Sequence, residues 1–185
     1  MNLICLGGYR KRFQDIVELL EEKDKNILEL CFGDIYVAEH CKITGRNWLG
    51  LDLNLSFVEF AENNGFNAER KDLMKIKRLP DADVCIMVGS IYHFAKDNCE
   101  TIMSKMLTSS KKIIISEPVL TWSNRSGLIG AIARKSANVG KGEETFRFNK
   151  RSFLSMLESL SRKFNFNYQI KRERGFDLIA VIQHD

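Results

Sequence analysis

Ile27-Leu28-Glu29-Leu30-Cys31-Phe32-Gly33-Asp34 is a short apolar run that stops at a glycine turn. Its length and its exit fit a buried strand delivering the chain into a turn and a helix. Three further runs repeat the plan. Trp48-Leu49-Gly50-Leu51-Asp52 reads as a second strand, and Ala82-Asp83-Val84-Cys85-Ile86-Met87-Val88 as a fourth that stops at Gly89-Ser90. Lys112-Ile113-Ile114-Ile115-Ser116 is nearly all β-branched, as expected of a central strand, the fifth. Phe66 to Arg70 is a short third strand, and two more, near 165–172 and 176–183, meet at Gly175.

Helical patterns lie between the strands. Phe13, Ile16, Val17 and Leu20 share one face of a helix over 11–22. Ser56-x-x-Glu59 is a capping box opening a helix that Gly65 closes. Asp97 caps a helix with Cys99, Ile102, Met103 and Met106 on one face, and Asn149 caps another with Phe153, Met156, Leu157 and Leu160 inward. Strands alternating with helices of this length require right-handed crossovers. The fold class is therefore α/β, a doubly wound, mostly parallel seven-stranded sheet with helices on both faces.

The whole chain fits that reading. Its 185 residues, 44% hydrophobic and 28% charged with two prolines, make one globular domain and exclude a disordered or repetitive chain. Five cysteines without a C-x-x-C pair suit a reducing cytoplasm, and Cys31, His40 and Cys41 lack zinc-site spacing, so no metal is expected. No segment reaches the roughly 18 apolar residues of a membrane span, and Leu3–Leu6 is too short for a signal peptide. The net charge of +4 is mild, but seven Lys or Arg against two Glu give residues 119–151 a balance of +5.

An open α/β sheet takes its ligand outside the carboxyl ends of the strands, where strand order reverses. Asp52 falls 19 residues beyond Gly33, close to the spacing at which an acid meets ribose hydroxyls. It is either that ligand or an exposed turn aspartate. A nicotinamide dehydrogenase needs G-x-G-x-x-G at this turn, and Cys-Phe-Gly-Asp-Ile-Tyr does not supply it.

At this point the chain resembles the class I S-adenosylmethionine-dependent methyltransferases over roughly residues 25–183. Residues 27–34 resemble the family's first motif, and Gly50-Leu51-Asp52-Leu53 the acidic end of its second strand. Arg70-Lys71-Asp72-Leu73 resembles the loop whose acid faces the adenine amine, and Val88 to Phe94 the loop after strand four. The resemblance implies S-adenosylmethionine as cofactor, with Glu29, Gly33, Asp52, Leu53, Asp72, Leu73, Gly89 and Ser90 around it, and a reversed last strand. The family's first motif carries three alternating glycines; here those places read Cys31, Gly33 and Ile35. Side chains at 31 and 35 must turn away or narrow the pocket.

Methyl transfer to a hydroxyl calls for a base with a pKa near the working pH. His93 is the histidine at a strand-end loop; it is that base, or it packs between Tyr92 and Phe94. His40 and His184 read as solvated. Glu117, at the end of the fifth strand, orients an acceptor or caps a turn. Residues 119–148, about thirty in a place where two to six are usual, read as an insertion that caps the acceptor site, through Trp122, Leu128, Ile129 and Ile132, or that lies on a membrane surface. With Arg125, Arg134, Lys135 and Arg147 as anion contacts and Tyr92 beside them, the expected acceptor is a small anionic or glycan-like molecule, methylated on O or N. The competing readings are a nucleic-acid methyltransferase or binding module, from Arg10, Lys11, Arg12, Lys71, Lys75, Lys77 and Arg78, and a non-catalytic relative that has lost its cofactor.

Overall fold

The computed structural model describes residues 8–95, 97–119, 146–174 and 177–184. In chain order they form α1 (Gly8–Val17), β1 (Asn26–Leu30), α2 (Tyr36–Ile43), β2 (Asn47–Asp52), α3 (Leu55–Asn63), β3 (Asn67–Arg70) and β4 (Val84–Val88). A 3-10 turn (Ile91–Phe94), α4 (Cys99–Ser109), β5 (Lys112–Pro118), α5 (Lys150–Phe164), β6 (Asn167–Arg174) and β7 (Asp177–Gln183) follow. The strands make one sheet in the order β3-β2-β1-β4-β5-β7-β6. All pairings are parallel except those of β7, which runs antiparallel to both β5 and β6. The expected doubly wound sheet with a reversed last strand is therefore present, and strand order reverses between β1 and β4.

Alternation along the strands builds two cores. Leu28, Leu30, Cys85, Met87, Ile113 and Ile115 face α4 and α5. Ile27, Val84, Ile86, Val88 and Ile114 face the opposite way, toward α1, α2 and α3. Burial on both faces is why β4 and β5 read as unbroken apolar runs. The two outer strands differ. β3 has four residues with Glu69 and Arg70 exposed, and β6 carries Lys171, Arg172 and Glu173 with a register shift between Ile170 and Arg172. No helix among the described residues is long and apolar enough to cross a membrane.

Three element boundaries depart from the sequence reading. The first helix ends at Val17 rather than 22, because the buried amine of Lys112 captures the Leu19 carbonyl at 2.7 Å and the carboxylates of Glu21 and Asp24 at 2.9 Å each. The helix-opening cap before α3 is Asn54, whose Oδ1 accepts from Ser56 N–H, so Ser56 lies inside the first turn. Asn98 rather than Asp97 precedes α4, since the 3-10 turn continues through a bond from Asn98 N–H to the Phe94 carbonyl. The Asn149 cap stands as expected, reinforced by Ser152 in a reciprocal box. The proposed cap over 119–148 falls largely on residues 120–145, outside the described residues. Both flanks are anchored, Val119 and Phe148 being buried in the core beside α4 and α5.

Gly50 shows how closely the sheet is packed near β1. Trp48 and Gly50 project from the same face of β2, and the indole crosses the glycine to donate to Glu29 Oε2 on β1 at 2.9 Å. Phe32 meets the indole edge-on at 5.2 Å. A Cβ on Gly50 would stand 2.3 Å from Trp48 and 2.7 Å from Phe32. Gly50→Ala is accordingly expected to lower stability by roughly 1–3 kcal/mol, read as a lower urea midpoint. An unchanged midpoint would show that the indole does not occupy this place.

Candidate functional site

The candidate crevice lies beyond the carboxyl ends of β1 and β4, where strand order reverses. The chain leaves β1 through two left-handed residues, Cys31 at φ 53° and Gly33 at φ 56°. A left-handed cysteine costs roughly 1–2 kcal/mol, so the turn keeps a glycine's backbone path without the glycine. Cys31 N–H donates to the Leu51 carbonyl at 2.7 Å, and Asp34 Oδ1 accepts from Tyr36 N–H at 2.9 Å to launch α2. Ile35, in the third motif place, has φ −101° and needs no glycine; its side chain is buried in the core with Phe13, Phe32 and Val37. Of the two side chains that had to turn away, Ile35 does so fully. Cys31 lies half-buried against the Leu28 and Leu30 side, its thiol pushed up to about 12 by burial and hence neutral.

Asp52 ends β2 beside this turn and is buried, which excludes the exposed turn aspartate. Burial raises its pKa, while the N–H groups of Asn54, Gly33 and Leu53, and the nearby His93, favour its charged form. The Asn54 bond is 2.7 Å. Leu53 next to it is exposed and Leu73 is buried. Asp72 stands half-exposed and folds back on its own turn, accepting from Met74 N–H at 3.0 Å and pairing with Lys75 at 3.4 Å. The Met74 bond, ahead of Lys75, holds its carboxyl below the usual range. Glu29 lies behind the turn, with no exposed surface and with Trp48 as its partner.

Across the crevice, Gly89 takes φ 60° and its N–H donates to the Ser116 carbonyl at 2.6 Å. Buried Ser90 donates to the Val88 carbonyl. His93 is exposed, so it is not a core packing residue, and its ring lies 3.9 Å from that of half-buried Tyr92. The Arg147 guanidinium sits 3.4 Å from the Tyr92 ring centre. Arg12, counted in the sequence with the basic run Arg10-Lys11-Arg12, reaches in from α1. It passes Gly89, where a Cβ would meet its Nη1 at 3.2 Å, and pairs with Asp177 at 2.6 Å. The available signal was its place four residues before Ile16, at the border of the apolar stripe. Glu117 is fully buried among these groups. Arg125, Arg134 and Lys135 lie outside the described residues. His184, expected to be solvated, has its Nε2 2.8 Å from the Ser110 carbonyl.

No protein-family model matches the sequence, and no curated protein does. Solved structures do match. The methyltransferase domain of bacterial CtHen1 superposes with a TM-score of 0.72 at 15% identity, covering 95% of this chain and 99% of that one. Magnesium protoporphyrin IX methyltransferase from Synechocystis PCC 6803 with bound SAH gives 0.68 at 13% identity, covering 96% and 84%. The chain has the class I methyltransferase fold. A third methyltransferase, small RNA methyltransferase HEN1, gives 0.69 at 14% identity over 96% of this chain and 25% of that one. In this methyltransferase fold the left-handed turn, Asp52 and the β4 loop share one rim of the sheet, whereas Glu29 backs it from within.

Two expectations follow. Cys31→Gly should be tolerated, while Cys31→Val, β-branched at a positive φ, should lose roughly 1–2 kcal/mol in urea unfolding; equal losses would contradict the left-handed turn. Glu29 is raised by burial from the usual 4.5 to about 8, the Trp48 bond opposing the shift. A raised acid stabilises fully below about pH 4.5 and loses that contribution as pH rises through about 8. Glu29→Gln keeps the acceptor for Trp48 without the charge. Its advantage over the parent should therefore grow with pH across this window, reaching roughly 1–3 kcal/mol in alkali by urea unfolding, and a pH-independent difference would refute the assignment.

Proposed function

We propose that this chain is an S-adenosylmethionine-dependent methyltransferase acting on a small acceptor that carries an acidic group, by O- or N-methylation. The observation that carries the reading is the left-handed turn at Cys31 and Gly33 bound to the buried Asp52 at the point where strand order reverses. The residues fit the cofactor. A carboxylate offers about four acceptor positions; Asn54 N–H takes one at 2.7 Å and the N–H groups of Gly33 and Leu53 lie near, which leaves Asp52 capacity toward ribose hydroxyls. Because the cofactor has no phosphate, it needs no phosphate-cradling glycines, and Ile35 is turned away from it. Leu53, Asp72, Leu73, Gly89 and Ser90 complete the wall, with Glu29 behind it. When bound, S-adenosylmethionine supplies an electrophilic methyl group on a sulfonium.

The chain's own residues align the acceptor, which is the larger part of the barrier in an in-line displacement. His93, exposed at the rim and close to Asp52, is the proposed base for a hydroxyl acceptor. Tyr92 and Arg147 form a flat cationic wall for an anion-bearing acceptor, beside Glu117.

An RNA acceptor is the second reading, suggested by the name of the small RNA methyltransferase HEN1. The local charges count against it. Lys71 pairs with Glu69 at 3.2 Å, Lys75 with Asp72, Arg78 with Asp81 at 2.5 Å and Arg12 with Asp177. Such compensation weakens, at these four positions, the one-signed field on which phosphate-backbone binding depends.

Calorimetry with S-adenosylmethionine and S-adenosylhomocysteine tests the proposal. Both should bind, and Asp52→Ala should weaken them by about ten-fold or more, the cost of one lost buried polar contact. His93→Ala should retain cofactor affinity and lose turnover on a hydroxyl acceptor. Absence of binding by the parent would make the chain a non-catalytic relative; unchanged affinity in Asp52→Ala would remove the ribose assignment.

A further inference from the structure

Among the described residues, Glu29 and Glu117 are glutamates with no exposed surface, and they are served differently. Glu29 accepts from the Trp48 indole. Neither oxygen of Glu117 has a hydrogen bond of ordinary geometry among the described residues. Every element converging on this end of β5 sends a group toward it: Arg12 from α1, Asp177 from β7, Arg147 ahead of α5, the Ile91 N–H after β4 and the Cys99 thiol opening α4. Arg12 is engaged by Asp177 and Arg147 lies against Tyr92. Among the described residues Glu117 thus has two buried oxygens without a well-formed hydrogen bond, the Ile91 N–H being the peptide donor directed at it, at the rim that holds Tyr92 and His93. A buried acceptor left unserved is destabilising, and such a group calls for an explanation, of which a bound ligand is one.

We propose that Glu117 is the seat of an ammonium group on the acceptor, which makes the acceptor a small zwitterion with its amine on Glu117 and its anionic end toward Arg147. This rests on the methyltransferase reading and adds the substrate class. Among the charges around it, Arg12 pairs with Asp177 and Arg147 is assigned to the anionic end of the acceptor, so the carboxylate of Glu117 is the group that meets the incoming cation. In the free protein burial lifts the carboxyl to about 8, with Arg12 and Arg147 opposing and Asp177 adding to the rise. The group is then protonated at neutral pH. An ammonium pairs with the ionised form, so binding releases a proton from the Glu117 O–H to solvent while the ammonium keeps its own. Affinity for amines should therefore climb with pH until about 8 and level off above it.

The test is calorimetry on the full chain with n-butylammonium, 4-aminobutyrate and butyrate, in buffers of different ionisation enthalpy near neutral pH. The two amines should bind with release of close to one proton, 4-aminobutyrate the tighter. Glu117→Gln should abolish the proton release and weaken both by about ten-fold or more, with S-adenosylhomocysteine affinity unchanged as evidence of an intact fold. Glu117→Asp should restore proton release in part. Amines that fail to bind the parent, that bind without proton release, or that bind Glu117→Gln equally well overturn the proposal, as does a preference for butyrate. If the amines behave as expected while S-adenosylhomocysteine does not bind the parent, the cofactor reading falls and the amine site stands.

Discussion

One carboxylate, that of Asp52, gathers the peptide N–H groups of Gly33, Leu53 and Asn54, and the rim of the sheet is organised around it. Burial alone would drive this group toward its neutral form; the convergent donors counter that and keep an acceptor in place. Through Gly33 the same carboxylate reaches the turn after β1, in which Cys31 takes its left-handed conformation. The bond from Cys31 N–H to the Leu51 carbonyl adds a second tie between the two strand ends. From the far side of that turn Asp34 starts α2, and Ile35 drops into the core. The end of β2 and the turn after β1 thus meet at a single side chain, next to the entry of α2.

The sheet was legible because β4 and β5 are apolar throughout and each strand exit carries a polar or glycine signal. The reversed last strand was legible through the family resemblance. What could not be read depended on partners far away in sequence. The end of α1 is set by Lys112, some ninety residues on. Nothing near Arg12 shows that it turns inward to Asp177, since a run of three basic residues reads equally well as a solvated face. The direction of Ile35 was equally hidden, because one position past a glycine turn either side is open until the helix has packed. Asp52 was found by spacing, whereas the surroundings of the Glu117 oxygens are a property of five converging segments and have no local signature.

Glu29 and Glu117 illustrate two uses of one physical effect. Both are raised to about 8 by burial. Glu29 uses its neutral form to bridge β1 and β2 through Trp48, which is an architectural role behind the crevice wall. Glu117 has a similar proton affinity without a side-chain donor of ordinary geometry among the described residues, at the carboxyl end of β5. A buried acid therefore supports the scaffold where an indole donor meets it and remains chemically available where none does.

The outer strands govern how the molecule meets its own kind. β3 is cut to four residues and ends in exposed Glu69 and Arg70, and β6 is kinked beside Lys171, Arg172 and Glu173. Extending the sheet across either margin would force a second copy to match a broken ladder and to bring charged side chains into register with charged side chains. The apolar centre of the sheet is thereby fenced at both margins, and crowded or partly unfolded chains find no ready template for cross-strand aggregation.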